Sequence, residues 1–216
     1  MNLNLKTYSL PGTVAEYAKE KDLQMPEETI FNIISNDLPA MRMLDIGVGA
    51  GRTTGHFAGK VKEYTGVDYS EGMIKSCQEQ FSDMNNVSFE VMDMGKGFKR
   101  FIDNSFDFIL ISFNSIDYSS FEERRTVLEE MKRLFSDGGL LCFSTHNINF
   151  IKAPPKFRFK EIFSPRSMVK SIYLNILALK NKSKIQKGNK PYVIVNDGAH
   201  AFGLNTMYVD LVEQIK

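Results

Sequence analysis

The chain has 216 residues, 43% hydrophobic and 25% charged, with a formal net charge of +1 at pH 7. That is ordinary for a globular protein with one well-buried core, and it leaves no global electrostatic drive toward nucleic acid. No apolar run is long enough to span a bilayer, and Met1–Leu10 lacks a signal-peptide pattern. The cysteines, Cys77 and Cys142, lack metal-ligand spacing, so two reduced thiols and no metal site are expected in a cytoplasmic protein.

The predicted elements begin with a helical segment over residues 1–40. Within it, Pro26-Glu-Glu opens a stretch with Ile30, Ile33, Ile34 and Leu38 at helical spacing, closed by Pro39. Short apolar runs then alternate with helical ones. Strands are predicted at Arg42–Ile46, Glu63–Val67, Val87–Met92, Phe106–Ser112 and Leu140–Thr145, and helices at Thr53–Gly59, Glu71–Ser82 and Phe121–Phe135. Such alternation predicts an α/β fold: a doubly wound, mainly parallel, Rossmann-like sheet with helices on both faces, over residues 41–146.

After Thr145 the rhythm breaks. Residues 147–190 form a basic insertion, with eleven Lys or Arg against the single acid Glu161, whereas the rest of the chain holds sixteen basic and twenty-five acidic residues. It contains Pro154-Pro155, three phenylalanines at 157, 159 and 163, and a predicted helix from Ser164 to about Leu179. Residues 191–216 follow, with a strand predicted at Pro191–Val195 and the start of a helix at Met207–Lys216.

The chemistry concentrates in Leu44-Asp-Ile-Gly-Val-Gly-Ala-Gly51. Three alternating glycines between a strand and a helix make a turn whose main chain a ligand can approach closely. Asp45 precedes the glycines, and Asp68 ends the second strand, 21 residues after Gly47. A carboxylate there can accept hydrogen bonds from both hydroxyls of an adenosine ribose. Arg52 stands where a dinucleotide-binding loop wants a glycine or alanine, which argues against a nicotinamide cofactor.

On these residues the chain resembles the class I S-adenosylmethionine-dependent methyltransferases over about residues 40–146. Gly66-Val-Asp-Tyr-Ser with Met73 resembles the family's second motif, Phe89-Glu-Val-Met-Asp-Met the third, Phe106 to Asn114 the fourth strand, and Leu134-Phe-Ser-Asp-Gly-Gly-Leu-Leu the turn before strand five, with Asp137 replacing a usual proline. The resemblance implies S-adenosylmethionine as cofactor. It would be held by Asp45, Gly47, Val48, Gly49, Ala50, Gly51, Asp68, Tyr69, Met73, Asp93, Met94, Ser112 and Asn114, with Tyr17 closing over it. Met73 and Met94 are equally readable as packing, and Arg52 as facing solvent or the cofactor carboxylate. The family's final antiparallel strand pair is expected to be missing, since the chain stops where the preceding helix would begin.

The expected reaction is methyl transfer to a small-molecule or surface-glycan acceptor, through a hydroxyl. Its general base is sought in Asp117 or His146, with His200 of lower weight. The cationic insertion suggests an anionic acceptor, and is equally compatible with a peripheral membrane contact or a plain solvated face. No DNA partner is expected. An RNA methyltransferase docking through the insertion ranks second, because no nucleic-acid-binding module accompanies it. A non-catalytic accessory protein keeping the fold is the third reading, and a homodimer is an open alternative.

Overall fold

The computed structural model describes residues 3–151, 168, 169, 172, 173, 176, 177, 191–196, 200, 203–210 and 212. Most of the basic insertion therefore lies outside the described residues, as does most of its predicted helix. The chain divides into two compact units, one of Tyr8–Ser144 and one of Met1–Thr7 with Thr145–Lys216.

The larger unit is built on a sheet of five parallel strands, β1 (Arg42–Ile46), β2 (Glu63–Asp68), β3 (Val87–Val91), β4 (Phe106–Ile111) and β5 (Phe135–Phe143), in spatial order β3-β2-β1-β4-β5. The chain reverses direction across the sheet between β1 and β4, which opens a crevice at the carboxyl ends of these two strands. Period-two alternation sorts the apolar residues onto two faces. Met43, Tyr64, Phe108 and Leu110 pack with Ile34, Leu38, Phe57 and Ile74. Leu44, Ile46, Ile109 and Ile111 pack with Val127, Met131 and Leu134. Burial on both faces explains why these strands read as nearly continuous apolar runs.

The helices start where the sequence supplies caps. In α3 (Met25–Ile33) Gln24 and Glu27 form a capping box, and in α6 (Phe121–Leu134) Ser120 and Glu123 do the same. In α5 (Glu71–Gln80) the Ser70 hydroxyl accepts the Met73 N–H. Two short helices, α1 (Leu3–Tyr8) and α2 (Pro11–Tyr17), precede α3, and α4 (Thr54–Phe57) follows the glycine loop. Ile34 and Leu38 enter the core as their spacing predicts, but Ile33 faces solvent.

β5 starts at Phe135, earlier than predicted, and ends at Phe143. The segment read as a turn is the bulged beginning of this strand. Its register against β4 shifts between Phe106 and Phe108, and Gly138 adopts a left-handed φ of 78°.

In the smaller unit, β6 (His146–Asn147), β7 (Tyr192–Val195) and β8 (Thr206–Val209) form a sheet in the order β6-β8-β7, with β7 and β8 antiparallel. This corrects two expectations. Met207 lies inside a strand and not at a helix start, because Thr-Met-Tyr-Val is β-favouring and all four side chains are buried. A late antiparallel pair is also present, though in this second sheet. Asn4 exchanges hydrogen bonds with the main chain of Asn205 (2.9 and 3.0 Å), and the Thr7 hydroxyl donates to the Gly203 carbonyl at 2.7 Å. Among the described residues no helix is long and apolar enough to cross a membrane.

Candidate functional site

The glycine loop leaves β1 through left-handed backbone at Gly47, Gly49 and Gly51 (φ 74°, 56° and 90°). A side chain there would meet a steric penalty of about 1–2 kcal/mol per residue. The space around the three differs. A Cβ on Gly47 would lie 2.6 Å from the Ser115 hydroxyl and one on Gly51 2.5 Å from the Phe81 ring, whereas one on Gly49 would meet only the Tyr17 ring, at 3.6 Å. Gly49 is thus the point where something can approach the loop. Val48 and Ala50 are buried, and Val48 packs into the core.

The loop is braced from behind. Gly47 and Val48 donate their N–H groups to the Val67 carbonyl at 2.8 and 3.1 Å. The Cys77 thiol and the Gln80 amide of α5 donate to the carbonyls of Gly49 (3.2 Å) and Ala50 (3.0 Å). Neither residue was a sequence candidate, and a helix following β2 at the right length was the only signal that could have placed them.

Asp45 is fully buried. Its Oδ2 accepts from the hydroxyls of Thr53 and Tyr64 (2.6 Å from the latter), while Oδ1 is buried without a hydrogen-bond partner. Burial pushes its pKa up to about 6, against the pull of the two hydroxyls. Asp68, also buried, accepts the N–H of Gly49 at 3.1 Å and of Ser70 at 2.9 Å. Burial pushes its pKa up to about 6 as well, partly opposed by those main-chain donors. Asp93 lies beyond β3, exposed, where its Oδ1 accepts the Gly95 N–H at 2.9 Å. Met73 is fully buried, so of its two readings packing is the one its surroundings favour, and Met94 is half-buried against the core.

Beyond β4 the backbone turns left-handed at two consecutive non-glycine residues, Phe113 (φ 53°) and Asn114 (φ 57°). Such positions cost of order 1–3 kcal/mol and gather at functional sites. Asn114 donates its N–H to the Ser144 hydroxyl at 2.8 Å, and the Ser112 carbonyl accepts the N–H and hydroxyl of Ser115. Arg52 is half-buried. Its guanidinium pairs with Glu27 at 2.6 Å, donates to the Asp22 carbonyl and lies 5.3 Å from the centre of the Phe113 ring.

Four tyrosines meet here. Tyr8 stands 5.7, 6.1 and 5.4 Å, centre to centre, from the rings of Tyr17, Tyr69 and Tyr118, and its hydroxyl bonds with those of Tyr17 and Tyr118. The Tyr69 hydroxyl is buried without a hydrogen-bond partner. Burial pushes the Tyr17 phenol up to about 12 and those of Tyr8 and Tyr69 higher still, so all three are neutral near pH 7. Tyr17 and Tyr69 were read from the sequence as cofactor contacts; Tyr8 and Tyr118 join them within the larger unit.

The two base candidates fall in different units. Asp117 sits in the turn Ser115–Tyr118, with a side chain fully shielded from solvent and paired to Arg124 of α6 at 2.6 Å. That geometry does not favour a general base, because taking a proton would leave the guanidinium buried without its counter-charge. His146 is in β6, its ring 4.9 Å from that of Tyr208. His200, in the same unit, has a left-handed φ of 47°.

The sequence profile of the methyltransferase domain family matches residues 43–139, from β1 into the start of β5. The match supports a class I S-adenosylmethionine-dependent methyltransferase family for these residues. The chain is 30% identical over 127 residues to a putative methyltransferase, YqeM, of Bacillus subtilis, a match covering 56% of this chain and 46% of the relative. It is 33% identical over 115 residues to the demethylmenaquinone methyltransferase of Staphylococcus aureus (strain MRSA252), covering 49% of this chain and 43% of that one. The matched part thus spans less than half the length of either relative. Among solved structures, an S-adenosylmethionine-dependent methyltransferase from Mesorhizobium loti superposes with a TM-score of 0.62 at 16% identity, covering 88% of this chain and 77% of the other. At that identity the likeness concerns the fold. The parallel five-stranded α/β sheet is that of the S-adenosylmethionine-dependent methyltransferase fold.

Proposed function

We propose that this methyltransferase domain binds S-adenosylmethionine at the β1–β4 crevice and passes the methyl group to a hydroxyl of a small-molecule or surface-glycan acceptor. The observation that carries the reading is Asp68: a buried carboxylate at the end of β2, held by main-chain N–H groups alone of the polar partners described, beside the one loop glycine with open approach. The residues present fit the cofactor. Asp45 keeps a buried oxygen without a partner, and Gly49 leaves the main chain accessible.

Asp68 would accept from the ribose hydroxyls and Asp93 from the adenine amino group, with Tyr69 flanking the base. Val48 to Gly51 and Asp45 would lie along the remainder, with Ser112 and Asn114 at the end of β4. The bound cofactor supplies an already electrophilic sulfonium methyl, so the protein's task is alignment and, for a hydroxyl acceptor, proton removal. The neutral phenols of Tyr8, Tyr17 and Tyr69 suit them to orient an acceptor or exclude water, not to take its proton. His146, next after β5 in the chain, carries the base assignment on sequence position alone. The name of the Staphylococcus aureus relative, a demethylmenaquinone methyltransferase, supports a small acceptor over RNA.

Calorimetric titration of the chain with S-adenosylmethionine, S-adenosylhomocysteine and NAD tests the cofactor half. Saturable binding of the first two and not of NAD is expected, and a folded protein that binds neither would overturn it. A labelled-methyl screen over hydroxylated small molecules, glycans and RNA then tests the acceptor, and methyl transfer to RNA alone would replace that half of the proposal.

A further inference from the structure

The smaller unit carries a surface that the methyltransferase chemistry does not use. Residues 168, 169, 172, 173, 176 and 177 are helical, and Met168, Val169, Ile172, Tyr173 and Ile176 recur at the spacing that puts five side chains on one helix face. All five are 45–64% exposed, and Phe150 in the turn Ile148–Phe150 is 75% exposed. Isolated exposed apolar residues are commonplace, but a helical row of five is not.

The charge of the sequence that flanks this row narrows what could cover it. The stretch 152–190 holds eleven Lys or Arg and one acid, and part of it reads Lys156-Phe157-Arg158-Phe159-Lys160, cations interleaved with aromatics. We infer that this row is a docking surface for an anionic lipid bilayer, onto which the chain settles peripherally. A lipid surface rewards both halves of the pattern: apolar side chains enter the acyl boundary while Lys and Arg meet anionic headgroups. RNA would satisfy the cations and leave five apolar side chains in water. A second copy would cover the apolar row by setting one strongly cationic stretch against another, which repels.

The test is flotation of the full chain with vesicles of phosphatidylcholine alone and with about one quarter phosphatidylglycerol. Binding is expected only with the anionic lipid, weakening at least about tenfold between about 0.1 and 0.5 M NaCl. Ile172→Asp with Ile176→Asp should lower it at least about tenfold at either salt concentration. S-adenosylhomocysteine affinity and melting temperature, unchanged, certify that the variant is folded. A measurement on the unsubstituted chain stands beside it. The protein has no tryptophan, so brominated phosphatidylglycerol should quench a tyrosine emission component that Tyr173→Phe removes. Several outcomes overturn the inference: no binding to anionic vesicles, binding that the paired aspartates leave intact, tyrosine emission untouched by the brominated lipid, retention by polyuridylate without vesicle binding, or a dimer in solution that the aspartates dissociate.

Discussion

Asp68 and Asp117 are both buried acids at the carboxyl ends of parallel strands, yet their surroundings assign them opposite work. Asp68 is held by main-chain N–H groups, those of Gly49 and Ser70 among them, with no formal counter-charge in contact. Asp117 meets the guanidinium of Arg124, itself shielded and 5.8 Å from the centre of the Phe143 ring. The first arrangement can still accept further donors; the second is an ion pair that pins the turn after β4 to α6. Burial alone does not make a carboxylate functional. Its donors decide.

The largest effect should come from opening the closed pair. Arg124→Met leaves Asp117 charged and buried, and should cost about 3–5 kcal/mol in urea unfolding. Pairing it with Asp117→Asn should recover much of that loss, and a single change without effect would dissolve the contrast. Next comes the open site. Asp68→Ala should weaken S-adenosylhomocysteine binding by about 1–3 kcal/mol in calorimetry with stability little altered; unchanged affinity would remove Asp68 from the ribose position.

The pH response sharpens the same contrast. The folded pKa of Asp68, at about 6, lies above the value of about 3.9 for an unfolded carboxyl. Its ionisation therefore erodes stability as pH rises from about 4 to about 6, while producing the anion that accepts ligand hydroxyls. Cofactor affinity should fall as pH drops through about 6, and Asp68→Asn should flatten that part of the profile even though Asp45 titrates in the same window. The smallest effect concerns the loop. Gly49→Ala should cost about 1–2 kcal/mol of stability, from the left-handed backbone alone. Gly47→Ala should cost more, because its Cβ would also strike Ser115.

How much of this was legible depended on how far apart the cooperating residues lie. The glycine loop and Asp68 could be read because each sits in a strand-end context a few residues long. The capping pairs Gln24 with Glu27 and Ser120 with Glu123 are equally local. Asp117 was legible as an acid near β4 but not as half of an ion pair, since Arg124 faces it only once α6 has packed on the sheet. Cys77 and Gln80 brace a loop about thirty residues away, and nothing in their own neighbourhood announces it. Ile33, with helical spacing and an exposed side chain, marks the converse error: periodicity names a face but not its width.

By itself the sequence determined the order of strands and helices in the larger unit, the parallel sheet they build, and the loop at its switch point. Those features follow from backbone preferences and apolar periods that a few consecutive residues carry. Only the tertiary structure decided which carboxylate is neutralised, which tyrosines gather around Tyr8, and that Thr206–Val209 pairs as a strand with β7. Desolvation, ion pairing and strand pairing depend on groups far apart in the chain, and their energies exist only after the elements have packed.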